Sequence, residues 1–273
     1  MNARLIIAGP RKPSSPWLVR QARTALVERR LFCFPYAGGS AQAFHGWGDR
    51  LPASTEVVAV QAPGKGTRLL EPPCASVDAL CDELLKALQP LLYDKPFSFF
   101  GHSNGAFIAF ELSCRLQQRG LPMPQQLLLS ASPAPWTRQT DRPFSQMTDT
   151  EFKETLKHLD GTPPAILDDQ SLFELLLPGL RADFAMPENY RYRWPEKLAA
   201  DTHVFYGEHD EITDEQIVAW QDKISEPVTF QKMPGGHFFI HSHMDELIAS
   251  VDRRLTGTYD FQREPEMLLS AQG

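Results

Sequence analysis

The sequence predicts an α/β fold, with a mostly parallel central sheet flanked by helices and one helical insertion. Two observations predict it. Short apolar runs alternate with amphipathic segments along most of the chain, and the alternation lapses once, between about Trp136 and Trp194. A short run that is apolar at every position suits a strand covered on both faces, whereas a stretch with one apolar stripe suits a helix covering it.

In chain order, the strand-like runs are Leu31 to Phe34, Val57 to Val60, Phe97 to Phe100, Leu127 to Leu129, Val204 to Tyr206 and Val228 to Phe230. Between them, Val77 to Leu92 carries Val77, Leu80, Leu84, Leu85 and Leu88 on one helical face, and Ala106 to Gln118 repeats Ile108, Leu112 and Leu116 at i, i+4, i+8. The lapse contains helical patterns instead. Phe144, Met147, Phe152, Leu156 and Leu159 form one, Leu172 to Leu177 another, and Pro163-Pro164, Pro178 and Pro187 are expected to interrupt them. Such an insertion reads as a lid over one edge of the sheet; the plainer alternative is a packed helical subdomain with no role in function. The expected organisation is an N-terminal extension (1–29), a core (30–136 and 195–256), a lid insertion (137–194) and a flexible tail (257–273) that loses periodicity.

Composition narrows the partners more than the activity. Among 273 residues, 42% hydrophobic and 22% charged is ordinary for a globular chain and leaves an enzyme, a binding module and a scaffold open. The formal net charge of -7 argues against nucleic acid, and the pairs Arg11-Lys12 and Arg29-Arg30 read as solvated surface charge. Cys33, Cys74, Cys81 and Cys114 lack CxxC or zinc-type spacing, so they read as reduced and mostly buried. The amino terminus offers only Leu5-Ile6-Ile7-Ala8, no secretory apolar region, and no stretch has the length of a membrane span. A cytoplasmic monomer without metal or resident cofactor is the expectation.

The sharpest chemical signal follows the Phe97 strand: Gly101-His102-Ser103-Asn104-Gly105, then an amphipathic helix. This is the context of a nucleophile elbow, in which a serine sits on a strained strand-to-helix turn and flanking glycines remove the crowding side chains would cause. A serine hydroxyl needs a general base and the base an orienting acceptor, and in the α/β-hydrolase fold these follow in the order Ser, Asp or Glu, His. After the Val204 strand comes Gly207-Glu208-His209-Asp210-Glu211; after the next comes Gly235-Gly236-His237-Phe238-Phe239. His237 is the candidate base, against His209, His241 and His243. Asp210 is the candidate acid, against Glu208, Glu211 and Asp214. A zinc site at His237 and His241 lacks a third ligand. Backbone N–H groups of Asn104 and of Ala37, in the Gly-rich loop Pro35 to Ser40, are the candidate oxyanion donors, although that loop also suits a simple turn.

Five motifs in one order, from about Leu31 to Leu255, resemble the stand-alone type II thioesterases that accompany nonribosomal peptide and polyketide synthetases. They are Phe32-Cys33-Phe34-Pro35-Tyr36-Ala37-Gly38-Gly39-Ser40, Gln61-Ala62-Pro63-Gly64-Lys65-Gly66-Thr67-Arg68, Gly101-His102-Ser103-Asn104-Gly105-Ala106, Leu177-Pro178-Gly179-Leu180-Arg181-Ala182-Asp183-Phe184 with Tyr190 following, and Gly235-Gly236-His237-Phe238-Phe239. The resemblance implies an editing hydrolase that clears stalled acyl groups from the phosphopantetheine arm of acyl or peptidyl carrier domains. Ser103 would take up the acyl group, Asp210 would hold His237, and His237 would activate water. Asn104, where many relatives carry Met, is a departure that alters the pocket wall. Arg181, Arg191 and Arg193 are candidates for docking an acidic carrier, or else solvated charges. An acyl-CoA thioesterase or carboxylesterase is the alternative on the same machinery, and a non-catalytic carrier-binding scaffold is the alternative from another class.

Overall fold

Apolar runs whose backbone groups can be satisfied only by pairing assemble into one seven-stranded sheet. The computed structural model describes residues 15–21, 26–74, 76–137, 143–159 and 161–257. The strands are β1 (Leu18–Arg20), β2 (Arg29–Phe34), β3 (Thr55–Val60), β4 (Phe97–His102), β5 (Gln126–Ser130), β6 (Asp201–Gly207) and β7 (Thr229–Met233). Their spatial order is β1-β3-β2-β4-β5-β6-β7, parallel throughout except that β1 runs against β3. Phe34 lies opposite Gly101, His102 opposite Ser130 and Gly207 opposite Met233, so the loops leaving β2, β4, β6 and β7 emerge along one edge. In open parallel sheets that edge is where ligands bind.

The helices are α1 (Trp47–Arg50), α2 (Val77–Leu88), α3 (Asn104–Gln118), α4 (Asp149–His158), α5 (Pro164–Asp168), α6 (Gln170–Asn189), α7 (Asp214–Val218), α8 (Phe239–Ser242) and α9 (Met244–Thr256). Side chains of β2 alternate between two cores, as a period of two requires: Phe32 and Phe34 pack with α2 and α3, Leu31 and Cys33 with α1, α8 and α9. Helix α2 begins where Ser76 Oγ accepts the Ala79 N–H at 3.2 Å, and buries Val77, Leu80, Leu84 and Leu88 on one stripe. Helix α3 is buried almost from end to end, which brings Glu111 fully inside. That carboxylate accepts from Tyr190 Oη (2.9 Å), Trp194 Nε1 (2.8 Å), Arg115 Nε (3.1 Å) and Arg193 Nη2 (3.2 Å). The network fastens the segment after α6 to the centre of the molecule.

Between β5 and β6 lie α4, α5 and α6, with a core of their own around Phe152, Leu156, Leu167, Phe173 and Leu180. A capping box, Thr148 with Glu151, starts α4. The prolines expected to interrupt the second pattern do not: α6 runs for 20 residues through Pro178 and Pro187. A mid-helix proline forfeits a backbone bond, and tertiary contact offsets the loss. Immediately after Pro178, Gly179 lies so close to the neighbouring loop that a Cβ there would stand 2.8 Å from Gly64 O.

Other expectations are revised. The segment before residue 29 is not wholly separate from the sheet, since β1 pairs with β3. The last strand begins one residue later than expected and extends to Met233. Arg30 is buried, not solvated, because Nε meets Glu56 Oε2 at 2.7 Å and Nη1 meets Asp94 Oδ1 at 2.9 Å. Arg181 and Arg193 are not a free basic patch. Arg181 binds Asp149 Oδ1 at 2.5 Å and lies over the Phe152 ring, while Arg193 binds Asp78 and Glu111. Arg191 donates to the Glu188 and Tyr190 carbonyls. Cys33, Cys81 and Cys114 are buried, Cys74 is half-buried, and all four are free thiols. Among the described residues no helix is long and apolar enough to cross a membrane. Arg11-Lys12, the Leu5 to Ala8 stretch and the tail from 258 onward lie outside the described residues.

Candidate active site

Ser103 occupies the single residue between β4 and α3, with φ 55° and ψ -118°. Positive φ strains any residue bearing a Cβ, and this strain turns the chain abruptly from strand to helix. The glycines on either side permit the approach. A Cβ on Gly101 would stand 2.1 Å from Gly105 O, and one on Gly105 would stand 1.9 Å from Phe34 O. The turn is held from below by the Ser103 N–H, which donates to Ser130 O at 2.7 Å. Ser103 thus stands at the positive end of a 15-residue helix, above the sheet edge.

The loops after β6 and β7 interlock through their backbones. Glu208 N–H donates to Met233 O at 2.8 Å and His209 N–H to Gly235 O at 2.9 Å. Gly207 allows this, because a Cβ there would come within 2.7 Å of Gly236 O. The result sets Asp210 beside His237 and His237 beside Ser103. His237 Nδ1 lies 2.9 Å from Asp210 Oδ2, and Nε2 lies 3.0 Å from Ser103 Oγ. The Asp210 side chain is only 4% exposed and the His237 side chain 30%, so the acid is sheltered while the imidazole reaches solvent. An ionised Asp210 can only accept, so Nδ1 carries the proton and Nε2 is left to accept from the Ser103 hydroxyl.

The competing residues go elsewhere. Glu208, Glu211 and Asp214 are exposed and make no bond to His237. His209 is exposed, His243 Nδ1 meets Ser242 Oγ, and His241 Nε2 takes the Tyr36 hydroxyl at 2.7 Å. His237 and His241 therefore do not converge on a common point. The loop Pro35 to Ser40 is a turn closed by Gly39 N–H to Tyr36 O at 2.9 Å, and it leaves β2 where Gly105 touches Phe34. Among the described residues neither the Ala37 N–H nor the Asn104 N–H has a protein acceptor. The Asn104 side chain is engaged apart from its N–H: Nδ2 donates to Asp183 O at 2.7 Å.

Two residues at the site carried no signal of their own. His102 is fully buried; its Nδ1 meets Ser130 Oγ at 2.9 Å and its Nε2 meets the His237 carbonyl at 3.0 Å. Burial, reinforced by the neighbouring His237, holds its pKa well below 6.5, so it is neutral and can donate to that carbonyl. Asp183, on α6, binds Gly38 N–H at 2.6 Å and both its oxygens take Lys65 Nζ. An apolar cavity lined by Phe34, Leu80, Leu84, Ile108 and Met186 opens beside Asn104.

Comparison with known proteins bears on this geometry. The thioesterase domain model matches residues 29–255. The chain belongs to the thioesterase family. Gramicidin S biosynthesis protein GrsT of Aneurinibacillus migulanus is 33% identical over 240 residues, covering 88% of this chain and 93% of that protein. Among solved structures, the type II thioesterase BorB from the borrelidin biosynthetic cluster superposes with TM-score 0.80 at 33% identity, over 89% of this chain and 99% of that one. RedJ, the thioesterase of the prodiginine biosynthetic pathway in Streptomyces coelicolor, gives 0.77 at 35% identity over 91% and 96%. The resemblance drawn from five motifs is borne out, as is the α/β-hydrolase fold. This thioesterase is a hydrolase acting on thioester bonds.

Proposed function

We propose that the protein is an editing thioesterase of a nonribosomal peptide or polyketide synthetase, hydrolysing acyl or aminoacyl thioesters from the phosphopantetheine arm of carrier domains. The observation that carries the reading is the continuous path Asp210–His237–Ser103, with both links at hydrogen-bond length. Relatives that serve gramicidin S, borrelidin and prodiginine biosynthesis support a carrier-bound thioester as the substrate. The cofactor-like arm belongs to the partner, and the chain's own residues supply the chemistry. Its four free thiols fit a reducing compartment, and we place the enzyme in the cytoplasm with the synthetase.

In this mechanism Ser103 Oγ attacks the thioester carbonyl while its proton passes to His237 Nε2, and Asp210 stabilises the imidazolium. The oxyanion is received by the Ala37 and Asn104 N–H groups, the latter at the start of α3 where the helix dipole adds to the attraction. As the C–S bond breaks, the imidazolium protonates the departing thiolate. Water then enters, gives its proton to His237 and attacks the acyl-Ser103 ester. Collapse of the second oxyanion, with the proton returned to Ser103 Oγ, releases the acid. Overall, thioester and water become acid and thiol.

The test is mass spectrometry of carrier domains bearing different acyl groups, incubated with wild-type enzyme and with S103A. Wild type is expected to return the arm to the free thiol, and S103A to lose about 10⁴-fold or more in turnover. Parallel assays on acyl-CoA and a simple oxygen ester define the leaving group. A clear preference for the oxygen ester, or an S103A enzyme that still clears the carrier, would refute the reading.

A further inference from the structure

Two of the five motifs play no part in the chemistry above, namely Gln61 to Arg68 and Leu177 to Phe184. They meet each other beside the site. Asp183 is 2% exposed, on the face of α6 turned to the sheet edge. Its carboxylate accepts three contacts from two donors: Lys65 Nζ on one motif reaches both oxygens, and Gly38 N–H on the loop after β2 reaches Oδ2 at 2.6 Å. Its backbone carbonyl receives Asn104 Nδ2 at 2.7 Å. One residue of the lid is thus bonded next to both candidate oxyanion donors, Ala37 and Asn104.

What the carboxylate does to Ala37 follows from the turn it grips. Tyr36 O accepts Gly39 N–H, and Tyr36 C=O shares a rigid peptide plane with Ala37 N–H, so closing this turn aims the Ala37 N–H. Gly38, third residue of the turn, has φ 76°, the sign a type II turn demands there. The middle peptide of such a turn can rotate, and the Asp183 bond to Gly38 N–H opposes rotation. The α6 helix reinforces the hold. A Cβ on Gly38 would stand 2.8 Å from Leu180 Cδ2, one turn before Asp183.

We propose that Asp183 is a positioning residue for acyl transfer: from the lid helix it locks the Tyr36–Gly39 turn, so that the oxyanion donors are aligned only while α6 is seated on the core. This rests on the reading of Ala37 and Asn104 as oxyanion donors. The role is indirect, since Asp183 is bonded to Gly38, Lys65 and Asn104 and not to Ser103, His237 or Asp210. Lys65 neutralises a carboxylate that would otherwise be buried alone.

The test compares D183A, D183N and the D183A/K65M double variant, which strands no buried ammonium and so keeps the experiment available if D183A does not fold. Steady-state hydrolysis of an acyl-carrier substrate is read as kcat and KM separately. Loss of the acceptor is expected to lower kcat by about tenfold to a hundredfold, somewhat less than deleting an oxyanion donor outright, with KM within about threefold. D183N keeps an oxygen for Gly38 N–H and is expected to recover most of the loss, which a role of charge or bulk stability would not allow. A folded acceptor-less variant with kcat within about threefold of wild type, a loss confined to KM, or a D183N enzyme as impaired as D183A would overturn the proposal. S103A, run alongside, separates the two failures. If S103A keeps turnover the serine mechanism itself falls, whereas an inactive S103A beside a fully active D183A removes only the positioning role.

Discussion

Gly105→Ala tests the elbow where the geometry is tightest. The added methyl would stand 1.9 Å from Phe34 O, 2.5 Å from Phe34 C and 2.8 Å from Pro35 O, all backbone atoms that no rotamer change can move. Restoring an ordinary carbon–oxygen contact of about 3.3 Å requires α3 and the end of β2 to part by roughly 1.4 Å. That separation moves Ser103 and Asn104 away from Ala37, and a misplacement of about 1 Å costs on the order of 10² in rate. Overpacking of this kind destabilises by about 3 kcal/mol, which in a chain of this length lowers Tm by roughly 5 °C. Thiol release gives kcat and calorimetry gives Tm; the expectation is a folded enzyme with kcat down about a hundredfold. Gly120→Ala is the control, because that glycine has φ 60° and nothing within 4 Å of the new Cβ. It should cost about 1 kcal/mol of backbone strain and leave kcat intact. A G105A enzyme with near wild-type kcat and Tm would show that close approach at the elbow does not set the site.

Replacing Asp210 by Asn should lower kcat about 10⁴-fold with little change in KM, since the amide favours the imidazole tautomer whose Nε2 already carries a proton; a loss below about tenfold would remove Asp210 from its role. Glu111→Ala should cost about 3–5 kcal/mol in urea unfolding, because Arg115, 5% exposed, loses its fully buried partner and Tyr190 and Trp194 lose their acceptor; under about 1 kcal/mol would mean the network is idle. Stability should also fall on acidification. His102 is depressed well below 6.5 by burial and then by His237, so the unfolded chain binds a proton the folded chain refuses, and stability is lost as pH falls below about 6.5. By pH 5.5 this amounts to at most about 1.4 kcal/mol, and H102Q should lack that share; identical losses in the two proteins would refute a buried neutral imidazole.

What the sequence disclosed and what it hid divide along chemical distinctiveness, not distance. The strands were legible because Leu31 to Phe34 or Phe97 to Phe100 are apolar at every position, and two-sided burial leaves few other readings. β1 was not, since its three residues include two exposed ones and no such run. His237 and Ser103 lie 134 positions apart, yet both stood out: one serine between two glycines after a strand, one histidine after Gly-Gly before a helix. Gly38 and Asp183 lie 145 apart, a similar distance, and their bond was invisible. Asp183 is one of 34 carboxylates, in a helical stretch where an acid ordinarily faces water, and its two partners are a backbone N–H and a lysine on other segments. Arg181 and Arg193 show the same ambiguity from the basic side, since an arginine bound for Asp149 or Glu111 is spelled like one bound for solvent. Groups that perform chemistry need unusual local backbone, and unusual backbone leaves its mark in neighbouring glycines. A group that only holds another in place needs no more than a partner, which arrives through the fold from anywhere in the chain.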